Sequence, residues 1–195
     1  MRIKKLKIET ERDLKSFYKK LFLYKSFLFR NTFFELNSDP LQINSVLMAL
    51  NIKNRKKKIN YIYDSACYFI DTSYKNLDVC GFKNGKCYVQ QKLKKDLING
   101  CCRGCLYQSC NGCQTANLTC KFFFCSEVEK RIKVIRREEV PVLRCFSIRQ
   151  RTLLKYNYFS SREDILMDLY IGSLFIGSIR ILYRQVRNFI QRKTN

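Results

Sequence analysis

Histidine and tryptophan are absent from the 195 residues, proline occurs twice and glycine seven times, and 16 acidic side chains face 38 lysines and arginines. Without histidine there is no Ser-His-Asp or Cys-His nucleophile and no imidazole-ligated metal. So few glycines and prolines leave no flexible linker to mark a domain boundary. Long apolar runs are missing too. The longest, Leu169 to Ile179, is about half the ~20 residues a membrane span needs, and Asp168 and Arg180 bracket it. The basic N-terminus, Met1 to Ile8, leads into Glu9-Thr10-Glu11-Arg12-Asp13 rather than an apolar core, so no secretory signal is expected. These absences read as a soluble, cytoplasmic protein. In a reducing compartment, 11 cysteines are not a disulfide framework, and the odd number agrees.

What remains is a formal charge of +22 on a chain that is 46% apolar, enough to build a core. The surplus favours anionic partners: nucleic acid, acidic lipid or an acidic protein. Thr10 and Asp13 form a capping box ahead of Leu14, Phe17, Leu21, Tyr24 and Leu28, whose 3/4 spacing stacks one helical face, widened by Tyr18, Phe22, Phe29 and Phe33. That helix is expected to pack on a core rather than lie on a membrane. Asp39-Pro40 starts a second helix ending near Asn51, Lys53 to Lys58 is a basic run read as a solvated loop in preference to a phosphate grip, and a third helix covers Tyr61 to Lys75 with Ile62, Ala66, Phe69, Ile70 and Ser73 inward.

Val79 to Val89 reads as a hairpin turning at Asn84-Gly85, which pairs Phe82 with Cys87 and Cys80 with Val89. This places Cys80 and Cys87 on one face, as two small buried side chains or two further ligands. Arg131 to Arg136 and Val140 to Phe146 read as a second hairpin, with Pro141 on an edge. Ser147 with Gln150, and Ser161 with Asp164, cap a short helix to Tyr156 and a long one to Ile190. The long helix repeats Ile165, Leu169, Gly172, Ile176, Ile179, Tyr183, Val186 and Ile190, a seam for a partner helix in cis or in a homodimer. The expected fold is α+β and mainly helical. An N-terminal helical part (1–78) leads to hairpins and a cysteine segment (79–146) and then to C-terminal helices (147–195), all in one compact unit.

The cysteine segment is the one chemical centre the residues specify. Cys101, Cys102, Cys105, Cys110, Cys113, Cys120 and Cys125 crowd a short stretch, and two pieces have the form Cys-x-Gly-Cys. Two residues between thiols let both sulfurs meet one ion, and glycine relieves the turn. One quartet is Cys102, Cys105, Cys110 and Cys113. The other joins Cys102 and Cys105 to Cys120 and Cys125, with the longer separation typical of structural zinc, and it is the preferred pairing, with Cys113 as a substitute or fifth ligand. Four thiolates suit Zn²⁺ or an iron–sulfur cluster, with Arg103, Lys121 and Lys130 to offset their charge.

The run Cys101-Cys102-Arg103-Gly104-Cys105, with Gly112-Cys113, Leu118-Thr119-Cys120, Cys125, Tyr158 to Glu163 and Asp168-Leu169-Tyr170, resembles a family of small cysteine-cluster proteins from low-GC bacteria with no established activity. The likeness covers roughly residues 78–183. The Cys-Cys-x2-Cys element is also similar to bacterial cysteine-cluster proteins proposed to chelate zinc or iron. Both resemblances imply metal binding and nothing further.

No Walker loop or GxGxxG is present, and a radical-SAM triplet fails at Gln108. Enzymatic activity is left open, with the residues weighing against it. The expected function is an all-thiolate metal-binding, basic protein acting as a nucleic-acid-associated or regulatory module. In it Ser147 to Tyr156 and the helix from Arg162 form a helix-turn-helix, and Arg144, Arg149, Arg151 and Lys155 contact phosphates. An iron–sulfur electron-transfer or redox-sensing protein, and an adaptor pairing through the C-terminal helix, are the alternatives.

Overall fold

The structure is a computed structural model, and it describes residues 2–36, 43–75, 77, 79–81, 83–84, 86–93, 108–109, 112–113 and 117–194. The chain opens with a strand, β1 (Arg2–Leu6), then α1 (Glu11–Tyr24) and β2 (Thr32–Leu36). The strands pair in parallel from Arg2↔Thr32 to Leu6↔Leu36, a geometry that needs a helical crossover such as α1. Thr10 caps α1 as expected: the Asp13 N–H donates to Thr10 Oγ1 (3.2 Å) and the Thr10 N–H to Asp13 Oδ2 (3.1 Å). The apolar stripe nevertheless outruns its helix. Phe17 and Leu21 are buried, Leu28 is exposed, Phe29 lies in a short 3-10 turn, and Phe33 falls in β2. The β-favouring run Thr-Phe-Phe breaks the helical period there.

β2 is closed on its far side by the end of α2 (Asn44–Asn51). Asn51 acts like a strand residue: its Oδ1 accepts from the Phe34 N–H (2.8 Å) and its Nδ2 donates to the Phe34 carbonyl (2.9 Å). The Asp39-Pro40 start lies outside the described residues. Lys53 to Lys58 is only half the loop expected. Asn54 caps α3 (Arg55–Ser73) by accepting from the Lys57 N–H (3.0 Å), so Arg55 to Lys58 form its first turn. The earlier start brings Ile59 and Tyr63 into the core beside Ile62, Ala66 and Ile70, while Phe69 and Ser73 face outward.

Neither expected hairpin is present in full among the described residues. At Asn84 (φ 51°) the chain turns, and Lys83 and Lys86 exchange backbone hydrogen bonds of 2.9 and 3.0 Å. Past this bridge the Tyr88 N–H donates to the Cys80 carbonyl (2.8 Å), and α4 (Tyr88–Leu93) then begins. Val89 is therefore helical and does not pair with Cys80; Phe82 lies outside the described residues. Cys87 is buried and Cys80 exposed. Residues 131–136 close α5 (Ser126–Arg131) and then run extended without a partner strand among the described residues. Their backbone is served locally instead. The Ile135 N–H donates to the Tyr74 hydroxyl (2.7 Å), and the Arg136 N–H to Glu139 Oε2 (2.6 Å). Pro141, lacking an N–H, starts a 3-10 turn through Cys145 rather than an edge strand.

The two C-terminal caps hold. Ser147 and Gln150 bond reciprocally (2.9 and 3.2 Å) at the start of α6 (Ile148–Tyr156), and Ser161 Oγ accepts from the Asp164 N–H (3.1 Å) at the start of α7 (Arg162–Ile171). The expected single long helix breaks at Gly172, whose left-handed backbone (φ 66°) terminates α7. Ser173 then opens α8 (Leu174–Thr194). The seam splits with it: Ile165 and Leu169 are buried, while Ile176, Ile179, Tyr183, Val186 and Ile190 are exposed. Packing runs from the parallel strands through α2 to α3 and the 141–145 turn, and on through α7 to α8, which also rests on α6. One contiguous apolar core extends from Leu6 to Ile181.

Candidate functional site

The sequence places two sets of functional side chains, and the structure treats them differently. Cys101, Cys102, Cys105 and Cys110 lie outside the described residues. Cys113 ends a two-rung antiparallel ladder of β3 (Gln108–Ser109) and β4 (Gly112–Cys113). Cys120 is positioned by a buried plug, Asn117-Leu118-Thr119. Asn117 donates to the Ser160 carbonyl (2.7 Å) and accepts from the Cys120 N–H (2.8 Å), the Leu118 N–H donates to the Tyr63 hydroxyl (3.0 Å), and Thr119 donates to the Leu154 carbonyl (2.6 Å). Burial pushes the Tyr63 hydroxyl well above the ordinary phenol range, so it stays protonated. Cys125 stands at the start of α5. Cys67, on α3 near the Lys121–Asp71 ion pair, is a thiol pushed up to about 11 by burial. Among the described residues, no three cysteines or carboxylates converge on one point.

The cationic residues do converge. α1, α3 and the 144–151 segment enclose a cleft of about 970 Å³ whose wall includes Lys25, Arg55, Lys58, Arg144, Arg149 and Arg151, with no carboxylate among the described lining residues. Arg144, Arg151 and Lys155 also line an adjoining cavity of about 590 Å³. Each cation has a positional cause. Arg55 and Lys58 occupy the first turn of α3 because Asn54 caps it. Arg149 and Arg151 follow the Ser147 cap of α6. Arg144 stacks over the Tyr18 ring (4.2 Å), and Arg55 over Tyr170 (5.4 Å). A Cβ on Gly172 would stand 2.9 Å from Arg55 Nη2, so the glycine that ends α7 also leaves room for this guanidinium.

Lys25 Nζ donates to the carbonyls of Arg144 (3.1 Å) and Phe146 (3.3 Å), tying α1 to the start of α6. Burial lowers the pKa of Lys25 and of Lys58, which marks the wall as partly desolvated. The Cys145 thiol behind them is pushed up to about 12 by burial, despite both lysines, and stays a neutral donor to the Val46 carbonyl (3.7 Å). Ser26 Oγ is buried in the same wall with no hydrogen-bond partner.

Thus three of the four expected phosphate contacts, Arg144, Arg149 and Arg151, line one cleft, and Lys155 lies in the adjoining cavity. Lys25 is not among the expected contacts, and the sequence reads the run holding Arg55 and Lys58 as a solvated loop in preference to a phosphate grip. Arg55 and Lys58 belong to the basic run, and the Asn54 cap was the signal that could have placed them on a helix. α7 does not suit groove reading: it carries Glu163, Asp164 and Asp168, and it packs on α3, α6 and α8. No protein-family model, no curated protein and no solved structure matches this chain.

Proposed function

We propose that this chain is a nucleic-acid-associated binding protein that grips the phosphate backbone in the cleft between α1, α3 and the 144–151 segment. One observation supports this above all: six cations from three separated stretches share a wall without an acidic residue among its described members. Six like charges held together at a partly desolvated wall repel one another, and a chain of phosphates relieves that cost while releasing its counterions. The stacked guanidiniums of Arg144 and Arg55 are fixed in direction, which suits oxygen pairs on phosphate. The cations of the wall would contact phosphates, which position a nucleic acid without reading its sequence.

The cysteine segment fits this reading as a metal-held thiolate element, with zinc ahead of an iron–sulfur cluster. Cys120 directly follows Asn117 and Thr119, which are tied to the core, and this would give a metal at its sulfur a rigid base. Elemental analysis and an absorption spectrum of anaerobically purified protein test it. About one equivalent of zinc in a colourless sample, lost in Cys105→Ser, supports it; full metal content in that variant removes Cys105 from the ligands. A brown sample with acid-labile sulfide would favour the electron-transfer reading.

Titrating mixed-sequence single- and double-stranded DNA and RNA at rising salt tests the cleft. Tight binding at low salt that falls steeply with added salt supports it, and no binding at low salt refutes it.

A further inference from the structure

α8 is built inside out. Its inward side is polar: Arg184 is 5% exposed and Asn188 2% exposed, with Gly177 and Ile181 beside them. Arg184 pairs with Asp168, donates to Ser160 Oγ (2.8 Å) and reaches Asn157 Oδ1 (3.2 Å). Arg180 donates to the other Asp168 oxygen (2.6 Å), and Asn188 donates to the Phe159 carbonyl (3.0 Å). These bonds fix the rotation of the helix about its axis. Its outward side is then apolar: Phe175, Ile179, Leu182, Tyr183, Val186 and Ile190 are 48–76% exposed. At 100° per residue they fall within an arc of roughly 100°, along a helix about 31 Å long. An apolar face of that size on one element marks an interaction surface.

The charge around the face selects its occupant. Arg187 is exposed beside it, and no acidic side chain occurs after Asp168 anywhere in the chain. Two copies joined through α8 would bring their Arg187 side chains to one seam with no α8 carboxylate to pair them, on chains of +22 each. A wide apolar arc containing aromatic residues, with the exposed Arg187 at its edge and no acidic side chain beside it, instead suits a helix lying in an anionic lipid interface. No described helix is long and apolar enough to cross a membrane. We infer that α8 is a docking face for an anionic lipid surface, its outer side chains sinking to the headgroup boundary while Arg187 meets lipid phosphates and carboxylates and the net charge of the chain draws it to the surface.

The test is co-sedimentation of the whole chain with vesicles of mixed phosphatidylcholine and phosphatidylserine, and with vesicles of phosphatidylcholine alone. Binding to the anionic vesicles should persist at physiological salt and fall more than about tenfold in Ile179→Asp/Val186→Asp, whose nucleic-acid binding stays intact as a check of folding. The cleft variant Arg149→Gln/Arg151→Gln should keep most of its vesicle binding, so the two sites fail independently. As a second readout, the chain has no tryptophan, so Tyr183→Trp reports insertion alone, by a blue-shifted emission with anionic vesicles. Equal vesicle binding by wild type and the α8 variant, equal binding to neutral vesicles, an unshifted indole emission in Tyr183→Trp, or a lipid-free dimer dispersed by the α8 substitutions would each overturn the inference.

Discussion

Two groups of arginines divide this protein. Arg162, Arg180 and Arg184 sit among the C-terminal helices, each facing a carboxylate: Asp64 for Arg162 (2.7 Å) and Asp168 for the other two. Arg55, Arg149 and Arg151, with Lys25 and Lys58, line the cleft where no carboxylate answers them among the described lining residues. The net charge of +22 is therefore not an even coat. Part of the positive charge is consumed in fixing α7 and α8, and part is left unanswered around one cavity. The difference teaches which arginines belong to the fold and which are free for a ligand.

Breaking the first group should cost most. Asp168→Ala leaves the buried Arg184 with only Asp164, 3.7 Å away, as a counter-charge, and urea unfolding should show a loss of about 3 kcal/mol. Asp168→Leu/Arg184→Met, which removes both charges, should recover much of that loss. A next-largest effect is expected at Gly177, where α8 touches α6. A Cβ there would stand 2.4 Å from Leu153 Cδ2, so Gly177→Ala should cost about 1–3 kcal/mol by the same assay, although alanine is the better helix former.

Smaller again is the loss of the α6 cap. Ser147→Ala should cost about 1 kcal/mol and loosen the turn that presents Arg149 and Arg151. The second group should cost the fold almost nothing. Arg149→Gln/Arg151→Gln should stay within about 0.5 kcal/mol of wild type at each site, with the effect appearing in binding. A large stability loss in that variant would erase the distinction between the two groups.

The wall of the cleft also predicts a pH response. Cys145 has a folded pKa of about 12 against an ordinary 9.0, so above pH 9 the unfolded chain gives up its proton while the folded chain keeps it. Stability is complete below pH 9 and declines as pH rises toward 12. The decline should be shallower in Cys145→Ala, measured by urea midpoints across that range.

Legibility followed local chemistry. Thr10, Ser147 and Ser161 announced helix starts because one side chain and one backbone N–H suffice to make a cap. The inward face of α3 was readable at Ile62, Ala66 and Ile70 for a similar reason, since periodicity is local. The parallel pairing of β1 with β2 was not, because its register is set by α1 and by Asn51, far along the chain. The 131–146 strands failed where Tyr74 and Glu139 supply the hydrogen bonds that an alternating pattern assigns to a neighbouring strand. Gly172-Ser173 was a stop and a start, but it lay within an unbroken apolar repeat, and the repeat prevailed. The cleft was half legible. Its arginines near α6 stood out, whereas Lys25, Arg55 and Lys58 join them only through tertiary packing.

The most direct measurement is the salt dependence of nucleic-acid affinity for wild type and for Arg149→Gln/Arg151→Gln side by side. Each phosphate contact contributes about 0.9 to the slope of log affinity against log salt on duplex DNA, so the account predicts a slope shallower by nearly two and weaker binding across sequences. Identical slopes and affinities for the two proteins would contradict a phosphate-gripping cleft.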